Sequence, residues 1–247
     1  MRSQTNTQIE GKKAIVTGGT RGIGHAVVQA LGAAGASVVL TGTTASNANA
    51  AAEKFVHQGM KVFGFPADVS REDDVQKLFD FADKTLGGLD ILINNAGLGI
   101  FKPAGELSLA DWKKVIDVNL TGAFHCSRLA IPRMKASGGG YIVHLSSLAA
   151  KNPFASGAAY NASKFGMNGM AEAMMLDHRY DNIRVTSIMP GSVDTDFGGM
   201  AKEKTAAASN WKISPADVAD MVITVLTMPE RTTVSRVEIR PSRPPKK

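Results

Sequence analysis

The chain has 247 residues, 44% of them hydrophobic and 20% charged, a composition typical of one large α/β domain. It contains no apolar run of the roughly 18 residues that a membrane span requires, and "MRSQTNTQIE" lacks the apolar segment of a secretory signal. We therefore expect a cytoplasmic protein without membrane contacts. The net charge of +6 lies partly in the tail "RPSRPPKK" and is accompanied by no aromatic-basic pattern, so we expect no nucleic-acid partner.

Short β-branched, apolar runs alternate with longer helical patterns along the whole chain. Seven runs predict strands: "KAIVTGG", "ASVVLTG", "KVFGFPADV", "LDILINNAG", "GYIVHLSS", "IRVTSIMPG" and "VSRVEIRP". The helical patterns include one continuous helix over residues 109–137 and another over residues 157–180. This alternation predicts an α/β fold, a doubly wound, parallel, seven-stranded sheet flanked by helices (a Rossmann fold). We expect a single domain over residues 1–247, with flexible tails at 1–10 and 241–247.

A glycine-rich turn, "TGGTRGIG", follows the first strand and opens the first helix. Gly18, Gly22 and Gly24 allow the backbone to turn tightly and to approach a pyrophosphate at the helix N-terminus. Thr20 and Ile23 occupy positions that the common G-x-G-x-x-G pattern gives to glycine. A packing turn would have the same composition, but the position between the first strand and a helix favours a dinucleotide site.

The end of the second strand bears on the choice of cofactor. Thr41, Gly42, Thr43 and Thr44 follow there, without the acid that would hold a ribose 2′-hydroxyl. Arg21 in the glycine-rich turn can instead bind a 2′-phosphate, with hydroxyl groups donated by Thr43 and Thr44. The sequence therefore predicts NADP(H) in preference to NAD(H), although a solvated loop arginine would give the same pattern and NAD(H) stays possible.

Further candidate cofactor contacts follow the other strands, because ligands of such a sheet bind beyond the carboxyl ends of its strands. Asp68 can accept a hydrogen bond from an adenine amino group or cap the next helix. Asn94 and Asn95 can tie strand ends together or face the ribose. The remaining predicted cofactor residues are Thr20, Ile23, Val69, Ala96, Gly97, Tyr160, Lys164, Pro190, Gly191, Val193 and Thr195.

The stretch "GAAYNASKFG" places Tyr160 and Lys164 four residues apart, so that a helix would stack them on one face. At about 4 Å and an effective dielectric near 20, a lysine stabilises a phenolate by about 4 kcal/mol, while burial of the phenol opposes that effect on its pKa. Carbonyl reduction needs a tyrosine able to give a proton near neutral pH, because hydride addition leaves an alkoxide.

Two further residues complete the predicted catalytic group. Ser147 ends the fifth strand and can hydrogen-bond a substrate carbonyl, with Ser146 as the rival one position earlier. Asn119 lies within a predicted helix, where asparagine is mildly unfavourable, and it can hold a water that relays protons to Lys164. Each of these features alone also has a purely structural interpretation. The single Cys126 is interpreted as core filling, and we predict no metal site.

Taken in order, "TGGTRGIG", "NNAG", "DVNL", the Ser147 strand end, "YNASK" and "PGSVDT" resemble the short-chain dehydrogenase/reductase family, in its single-domain, 3-oxoacyl-thioester-reductase-like branch. The resemblance covers roughly residues 10 to 240. It implies a catalytic tetrad of Asn119, Ser147, Tyr160 and Lys164. In the family, the tyrosine is the general acid/base and the serine orients the carbonyl. The lysine binds the nicotinamide ribose and lowers the tyrosine pKa, and the asparagine supports a proton-relay water.

The C-terminus departs from the family pattern, because "VSRVEIRPSRPPKK" stands where many members have a glycine-rich "TG…DGG" segment that contributes to subunit contacts. We therefore expect a homodimer through the helices around residues 108–135 and 157–178, with the homotetramer common in the family as the alternative. The segment after Thr195 covers the substrate in the family and varies most, so substrate identity is not transferred.

These observations lead us to expect an NADPH-dependent reductase of a ketone or 3-oxoacyl thioester. The predicted pocket wall is apolar and consists of Leu98, Ile100, Phe101, Leu148, Phe154, Val193, Phe197, Met200 and Trp211. One alternative is an alcohol dehydrogenase that works in the oxidative direction with the same residues. A second alternative, from another class, is a non-catalytic regulator that binds NADP(H).

Overall fold

The computed structural model describes residues 8–197 and 211–245. Seven strands form its sheet: β1 (Lys13–Val16), β2 (Ser37–Gly42), β3 (Val62–Pro66), β4 (Ile91–Asn94), β5 (Gly140–Leu145), β6 (Ile183–Pro190) and β7 (Arg236–Ile239). All neighbouring strands are parallel, in the order β3-β2-β1-β4-β5-β6-β7. The predicted doubly wound sheet is confirmed, with every strand in the run from which it was predicted.

Helices connect the strands on both faces of the sheet. They are α1 (Gly22–Ala33), α2 (Ala45–Val56), α3 (Glu72–Leu86), α4 (Leu109–Ile116), α5 (Gly122–Ala136), α6 (Ala158–His178) and α7 (Pro215–Leu226), with short 3₁₀ turns at Leu148–Ala150 and Arg179–Asp181. Within residues 8–197 and 211–245, no helix has the length and apolarity needed to cross a membrane.

The core is divided by the sheet into two clusters, because successive strand residues point to opposite faces. Val16 belongs to the cluster beneath α1 and α7, whereas Ile15 belongs to the cluster beneath α3 and α5. Cys126 lies in the second cluster and is fully buried, as predicted. Burial raises the pKa of its thiol to about 12, so the thiolate that would be reactive is strongly disfavoured.

The strand order reverses at β1, which has β2 on one side and β4 on the other. Chain connections leave in opposite directions at such a switch point, and a crevice opens beyond the strand ends. Thr17 closes the base of this crevice, since its hydroxyl accepts hydrogen bonds from the backbone N–H groups of Asn95 and Ala96, both at 3.0 Å. These hydrogen bonds fix the start of the glycine-rich turn to the loop after β4.

The helix predicted over residues 109–137 is interrupted by one π-helical segment, Asp117–Thr121, which separates α4 from α5. Asn119 lies in this segment and is completely buried. A π-turn widens the helix by one residue per turn and frees the backbone locally. The unfavourable mid-helix asparagine of the sequence thus marks a real change in backbone geometry.

Parts of both predicted tails pack against the domain. Ile9 is only 1% exposed and joins the core cluster beneath α1. At the other end, the backbone N–H of Gly191 donates to the Ile239 carbonyl at 2.8 Å. A Cβ added at Gly191 would lie 3.1 Å from the Cδ of Pro241, so the chain after β7 runs directly against the loop after β6.

Candidate active site

The glycine-rich turn has the geometry of an anion cradle. Gly18 and Gly22 adopt left-handed backbone conformations, with φ of 65° and 57°, which side chains rarely tolerate. Arg21 is the N-cap of α1, and its side chain makes no capping hydrogen bond. The first N–H groups of this 12-residue helix therefore keep their capacity to bind an anion, and the turn fits a pyrophosphate.

Gly24 is required by close packing within the same turn. A Cβ added there would overlap the Gly18 carbonyl oxygen and the side-chain amide of Asn95. Both atoms are held in place, because the Asn95 amide donates to the carbonyl oxygens of Thr17 and Gly18 at 2.9 Å and 3.0 Å.

We expect Gly24→Ala to lower the free energy of unfolding by about 1–3 kcal/mol, because the added methyl group overpacks a rigid site. Its control is Gly169→Ala in α6, where an added Cβ meets nothing within 4 Å. That change should stabilise the protein by about 0.5–1 kcal/mol. Urea denaturation measures both, and equal effects of the two substitutions would contradict the packing account.

The end of β2 packs on the glycine-rich turn. A Cβ at Gly42 would lie 2.7 Å from the Thr20 methyl group, and the Gly19 N–H donates to the Thr41 carbonyl at 2.9 Å. Arg21, next to Thr20 in the turn, is exposed, as are the residues that follow β2. Those residues carry hydroxyl groups and no carboxylate, as the sequence indicated.

Thr43 and Thr44 are both exposed after β2, but the structure gives them different surroundings. Thr44 is the N-cap of α2, and its hydroxyl oxygen accepts from the Asn47 N–H at 3.3 Å. A hydroxyl that accepts in this way still has its own proton to donate. The predicted contribution of Thr44 to a phosphate site is therefore restricted to donation.

Asp68 and Val69 follow β3 and shape the turn before α3. One Asp68 carboxylate oxygen accepts from the Ser70 N–H at 3.0 Å and from the Ser70 hydroxyl at 2.7 Å. Val69 is buried, and a Cβ at Gly122 would lie 2.6 Å from its methyl carbon. The structure thus shows a turn-stabilising role for Asp68, while its adenine contact stays a prediction.

The asparagines after β4 serve to tie neighbouring segments together. Asn95 binds the glycine-rich turn, as described above. The Asn94 amide donates to the Ser127 hydroxyl at 3.0 Å and lies 3.4 Å from the Nδ1 of His144. Of the two alternatives drawn from the sequence, the joining of strand ends is the one that the hydrogen bonds show.

The loop after β6 returns to the glycine-rich turn. Pro190 ends the strand, and Val193 forms an isolated parallel bridge with Ile213. The Thr195 methyl group lies 3.3 Å from the position of a Cβ at Gly22. Thr195 therefore lies beside the turn, and the cofactor contacts of Pro190 and Val193 stay predictions. Met200 of the predicted pocket wall lies outside the described residues.

Tyr160 and Lys164 lie on α6, and Ser147 follows β5 at the same end of the sheet. The Ser147 side chain faces the Tyr160 hydroxyl closely enough to lower its pKa, and the Ser147 Oγ accepts from the Ala149 N–H at 3.1 Å. Ser146 is buried, and its hydroxyl is directed to the backbone carbonyl of Lys164 at 3.5 Å. Ser147 is therefore the serine that faces the phenol, and Ser146 is not.

The electrostatics of the pair differ from the sequence-based expectation. Desolvation raises the pKa of Tyr160, and the hydrogen bond with Ser147 only partly opposes this. The Lys164 ammonium donates to the Leu145 carbonyl at 2.8 Å and lies 5.8 Å from the centre of the phenol ring. The expected lysine-driven decrease of the tyrosine pKa is therefore absent in this structure. Tyr160 is neutral at pH 7, the form that donates a proton.

Burial also acts on Lys164, whose side chain is almost fully enclosed. Removal of the ammonium from water lowers its pKa to about 8. His144 lies in β5 and is fully buried. Desolvation, and to a smaller extent the charge of Lys164, lowers the pKa of its imidazole to about 3. His144 is thus neutral, and Lys164 is the titratable cation beneath Tyr160.

Asn119 holds the backbone around the site. Its Oδ1 accepts from the Leu98 N–H at 2.8 Å, and its Nδ2 donates to the Leu98 carbonyl at 2.9 Å and to the Ser163 hydroxyl at 3.1 Å. Ser163 in turn donates to the Tyr160 carbonyl at 2.8 Å. Leu98 was predicted as pocket wall, but its backbone hydrogen bonds with Asn119 and the contact of Asn119 with Ser163 were not predicted, because nothing local in the sequence marks these tertiary contacts.

Three phenylalanines surround the phenol. The ring centres of Phe101, Phe154 and Phe197 lie 5.7 Å, 6.2 Å and 5.6 Å from that of Tyr160. All three were predicted as pocket wall, and they give the reacting group an apolar environment.

A cleft of about 590 Å³ extends from Ser147 to the C-terminal segment. Its lining includes the predicted Leu148, Phe154 and Trp211. It also includes Arg240, Pro241, Pro244 and Pro245, which the sequence reasoning treated as a solvated end. The available signal was the proline content of "RPSRPP", since proline cannot continue the sheet and turns the chain away from it.

Comparison with known proteins agrees with this geometry. A family model described as short chain dehydrogenase matches residues 12–206. An uncharacterised oxidoreductase of Staphylococcus aureus (strain MRSA252) is 30% identical, with 95% of this chain and 99% of the relative covered. A 3-oxoacyl-[acyl-carrier-protein] reductase of Aquifex aeolicus (strain VF5) is 32% identical, with coverage of 87% and 90%.

Solved structures resemble the chain over nearly its whole length. A metagenomic short-chain oxidoreductase, solved in complex with NADP, has a TM-score of 0.83 and 33% identity. The match covers 96% of this chain and all of that one. With its parallel sheet, glycine-rich turn and Tyr160–Lys164 pair, the chain belongs to the short-chain dehydrogenase/reductase family of NAD(P)-dependent oxidoreductases.

Proposed function

We propose that the protein reduces a ketone or a 3-oxoacyl thioester to the alcohol, with NADPH as the hydride donor. The observation that carries this proposal is the placement of Tyr160. Its hydroxyl lies beside the Ser147 side chain, which opposes the rise of its pKa, and three phenylalanine rings pack around the phenol. Lys164 lies beneath the ring, and the crevice of the glycine-rich turn opens at the same sheet edge.

The proposed mechanism assigns a task to each residue of the tetrad. A nicotinamide cofactor, when bound, supplies the hydride. The Ser147 hydroxyl donates a hydrogen bond to the substrate carbonyl oxygen and holds it beside the phenol. The Tyr160 hydroxyl donates its proton to the alkoxide oxygen that forms.

The other two residues support that proton transfer. The Lys164 ammonium, 5.8 Å from the ring centre, stabilises the phenolate that remains. Asn119 fixes α6 and the Leu98 backbone around the site through its three hydrogen bonds. The proposed cofactor residues are those that the sequence predicted, with the glycine-rich turn as the pyrophosphate site.

A preference for NADPH is supported by the end of β2, which packs on the glycine-rich turn of Arg21 and continues into Thr43 and Thr44 without a carboxylate. Thr43→Asp should repel a 2′-phosphate and accept from a 2′-hydroxyl instead. We expect the ratio of kcat/KM with NADPH to that with NADH to fall at least about tenfold.

The control for that prediction is Asn49→Asp, which adds the same charge at an exposed position further along α2. It should leave the cofactor ratio near the wild-type value. A wild-type enzyme that already uses NADH more efficiently than NADPH would contradict the proposed preference.

The oxidative direction is the second candidate, because the same residues return the proton and the hydride when an alcohol is the substrate.

The proposed homodimer is supported by exposed phenylalanines on the two expected helices, Phe124 on α5 (45%) and Phe165 on α6 (47%). Burial of these two rings between subunits would remove apolar surface from water. Light scattering on the purified protein measures the oligomeric state.

The test of the proposed function is NADPH oxidation with a panel of ketones, diketones and 3-oxoacyl thioesters. We expect reduction of at least one of them, with formation of the corresponding alcohol. If NADPH binds and no carbonyl compound of the panel is reduced, the non-catalytic alternative gains support. Alcohol oxidation with NADP⁺ alone would favour the dehydrogenase alternative.

A further inference from the structure

The C-terminal segment forms one wall of the cleft that contains Ser147. From this we infer that the substrate carries an oxyanion, a carboxylate or a phosphate, at a distance from its reacting carbonyl, and that Arg240 binds this group. The inference rests on the proposed function, since it concerns the substrate of the same site. It gives a role to the one charged residue in a lining that is otherwise uncharged among the described residues.

The lining of the cleft has two chemically different parts. Most of the lining is apolar, with Leu148, Phe154 and Trp211 as its large side chains, and Ser147, Asn152 and Ser192 are uncharged polar residues. Arg240 is the only charged residue among the described residues that line the cleft. A molecule with an apolar body and one anionic end therefore matches this lining better than a neutral molecule.

Arg240 uses only part of its hydrogen-bonding capacity within the described part of the chain. A guanidinium has five N–H donors, and the described part of the chain shows one hydrogen bond from Arg240, to Glu238 at 2.7 Å. The Lys151 ammonium binds the same carboxylate at 2.6 Å. Two cations thus share one carboxylate, and a positive charge is left on a side chain that is 53% exposed. A planar guanidinium binds carboxylate and phosphate oxygens in a forked geometry.

The position of Arg240 is fixed by the sheet. Pro190 of β6 pairs with Ile239 of β7, and the Gly191 N–H donates to the Ile239 carbonyl at 2.8 Å. Pro241, directly after Arg240, packs against Gly191. Because the residues on both sides of Arg240 are held, the spacing between its backbone and Ser147 is built into the fold. That spacing can select substrates by length.

The test uses three forms of one apolar ketone: a terminal carboxylic acid, its methyl ester, and a terminal phosphate monoester. The measured quantity is the ratio of kcat/KM for each anion to that for the neutral ester, with NADPH. We expect the wild-type enzyme to prefer one or both anions by at least about tenfold, the size of a charge-assisted hydrogen bond. Comparison of this ratio for the carboxylic acid with that for the phosphate monoester shows which oxyanion the enzyme prefers.

Arg240→Gln should lower that ratio to near one. Arg243→Gln is the matched control, because Arg243 lies on the same segment outside the cleft lining, and it should keep the wild-type ratio. Glu238→Gln removes the competing carboxylate and should increase the ratio. Calorimetric titration with the saturated acid that lacks the keto group gives a second readout, and its affinity should fall in Arg240→Gln.

The outcomes separate this inference from the proposed function. A wild-type enzyme that reduces the neutral ester as well as both anions, with the same ratio in Arg240→Gln, overturns the inference and leaves the proposed function standing. An equal loss in Arg240→Gln and Arg243→Gln also overturns it, because the effect is then one of general charge. If the wild-type enzyme reduces no ketone at all, the proposed function fails, and this inference fails with it.

Discussion

Tyr160→Phe should lower kcat/KM for carbonyl reduction by about 10²- to 10⁴-fold, the usual contribution of a positioned general acid. The substitution removes only the hydroxyl that donates the proton to the alkoxide. The phenyl ring keeps its contacts with Phe101, Phe154 and Phe197, whose centres lie 5.7 Å, 6.2 Å and 5.6 Å away. Steady-state kinetics with NADPH and a ketone measures the loss.

The control is Tyr180→Phe, the same substitution at a side chain that is 92% exposed. It should retain the wild-type kcat/KM. NADPH affinity, measured by fluorescence titration, should change little in Tyr160→Phe, because the ring remains. A Tyr160→Phe enzyme with nearly full activity would show that another group protonates the alkoxide.

Lys164→Met should abolish the activity and also change how stability depends on pH. The pKa of Lys164 is about 8 in the folded protein, against 10.5 for an ordinary lysine. Between these two values the unfolded chain binds more protons than the folded one, so the wild-type stability rises with pH. The full difference corresponds to about 3 kcal/mol. The variant lacks this titration, so the wild-type protein should gain stability relative to it from about pH 8 upward.

Urea unfolding of both proteins at several pH values between 7 and 10 measures this difference. Lys77→Met, at an exposed position of α3, is the control and should keep the wild-type pH dependence. If the free energies of unfolding of the wild type and of Lys164→Met change with pH by the same amount over this range, burial of the Lys164 ammonium does not destabilise the folded protein as stated.

The fold was predictable because its signals are local. The strands are β-branched, apolar runs, as in the "ASVVLTG" of β2, and a helical pattern follows each of the first six. A parallel sheet that is buried on both faces requires such runs. The position of each site residue after a strand then follows from the topology. This is why Ser147, Asn95 and Thr195 could be placed at one sheet edge from the sequence.

The tertiary contacts of the site were less accessible. Asn119 was noticed as an unusual helix residue, but its hydrogen bonds to Leu98 and Ser163 depend on how three segments meet in space. The lysine was expected to lower the tyrosine pKa, because the sequence shows the spacing of Lys164 but not the Leu145 carbonyl that accepts a hydrogen bond from its ammonium. The direction of an ammonium within a buried site is decided by such carbonyl groups.

The C-terminal segment shows the same limit. The sequence displays Arg240 as one of several basic residues near the end, where a solvated tail is the ordinary outcome. Its position in the cleft depends on the pairing of β7 with β6 and on the packing of Pro241 against Gly191. No local pattern distinguishes Arg240 from Arg243, although only the former lines the cleft.

The central claim is that this chain transfers a hydride to a carbonyl carbon, and isotope transfer tests it most directly. A ketone that is reduced in the panel assay is incubated with the wild-type enzyme and NADPH. This NADPH carries deuterium in place of both hydrogens on the hydride-donating carbon of the nicotinamide ring. The alcohol product is then analysed by mass spectrometry. We predict one deuterium on the carbinol carbon of each alcohol formed. Consumption of NADPH without deuterium on that carbon would contradict the proposed reaction.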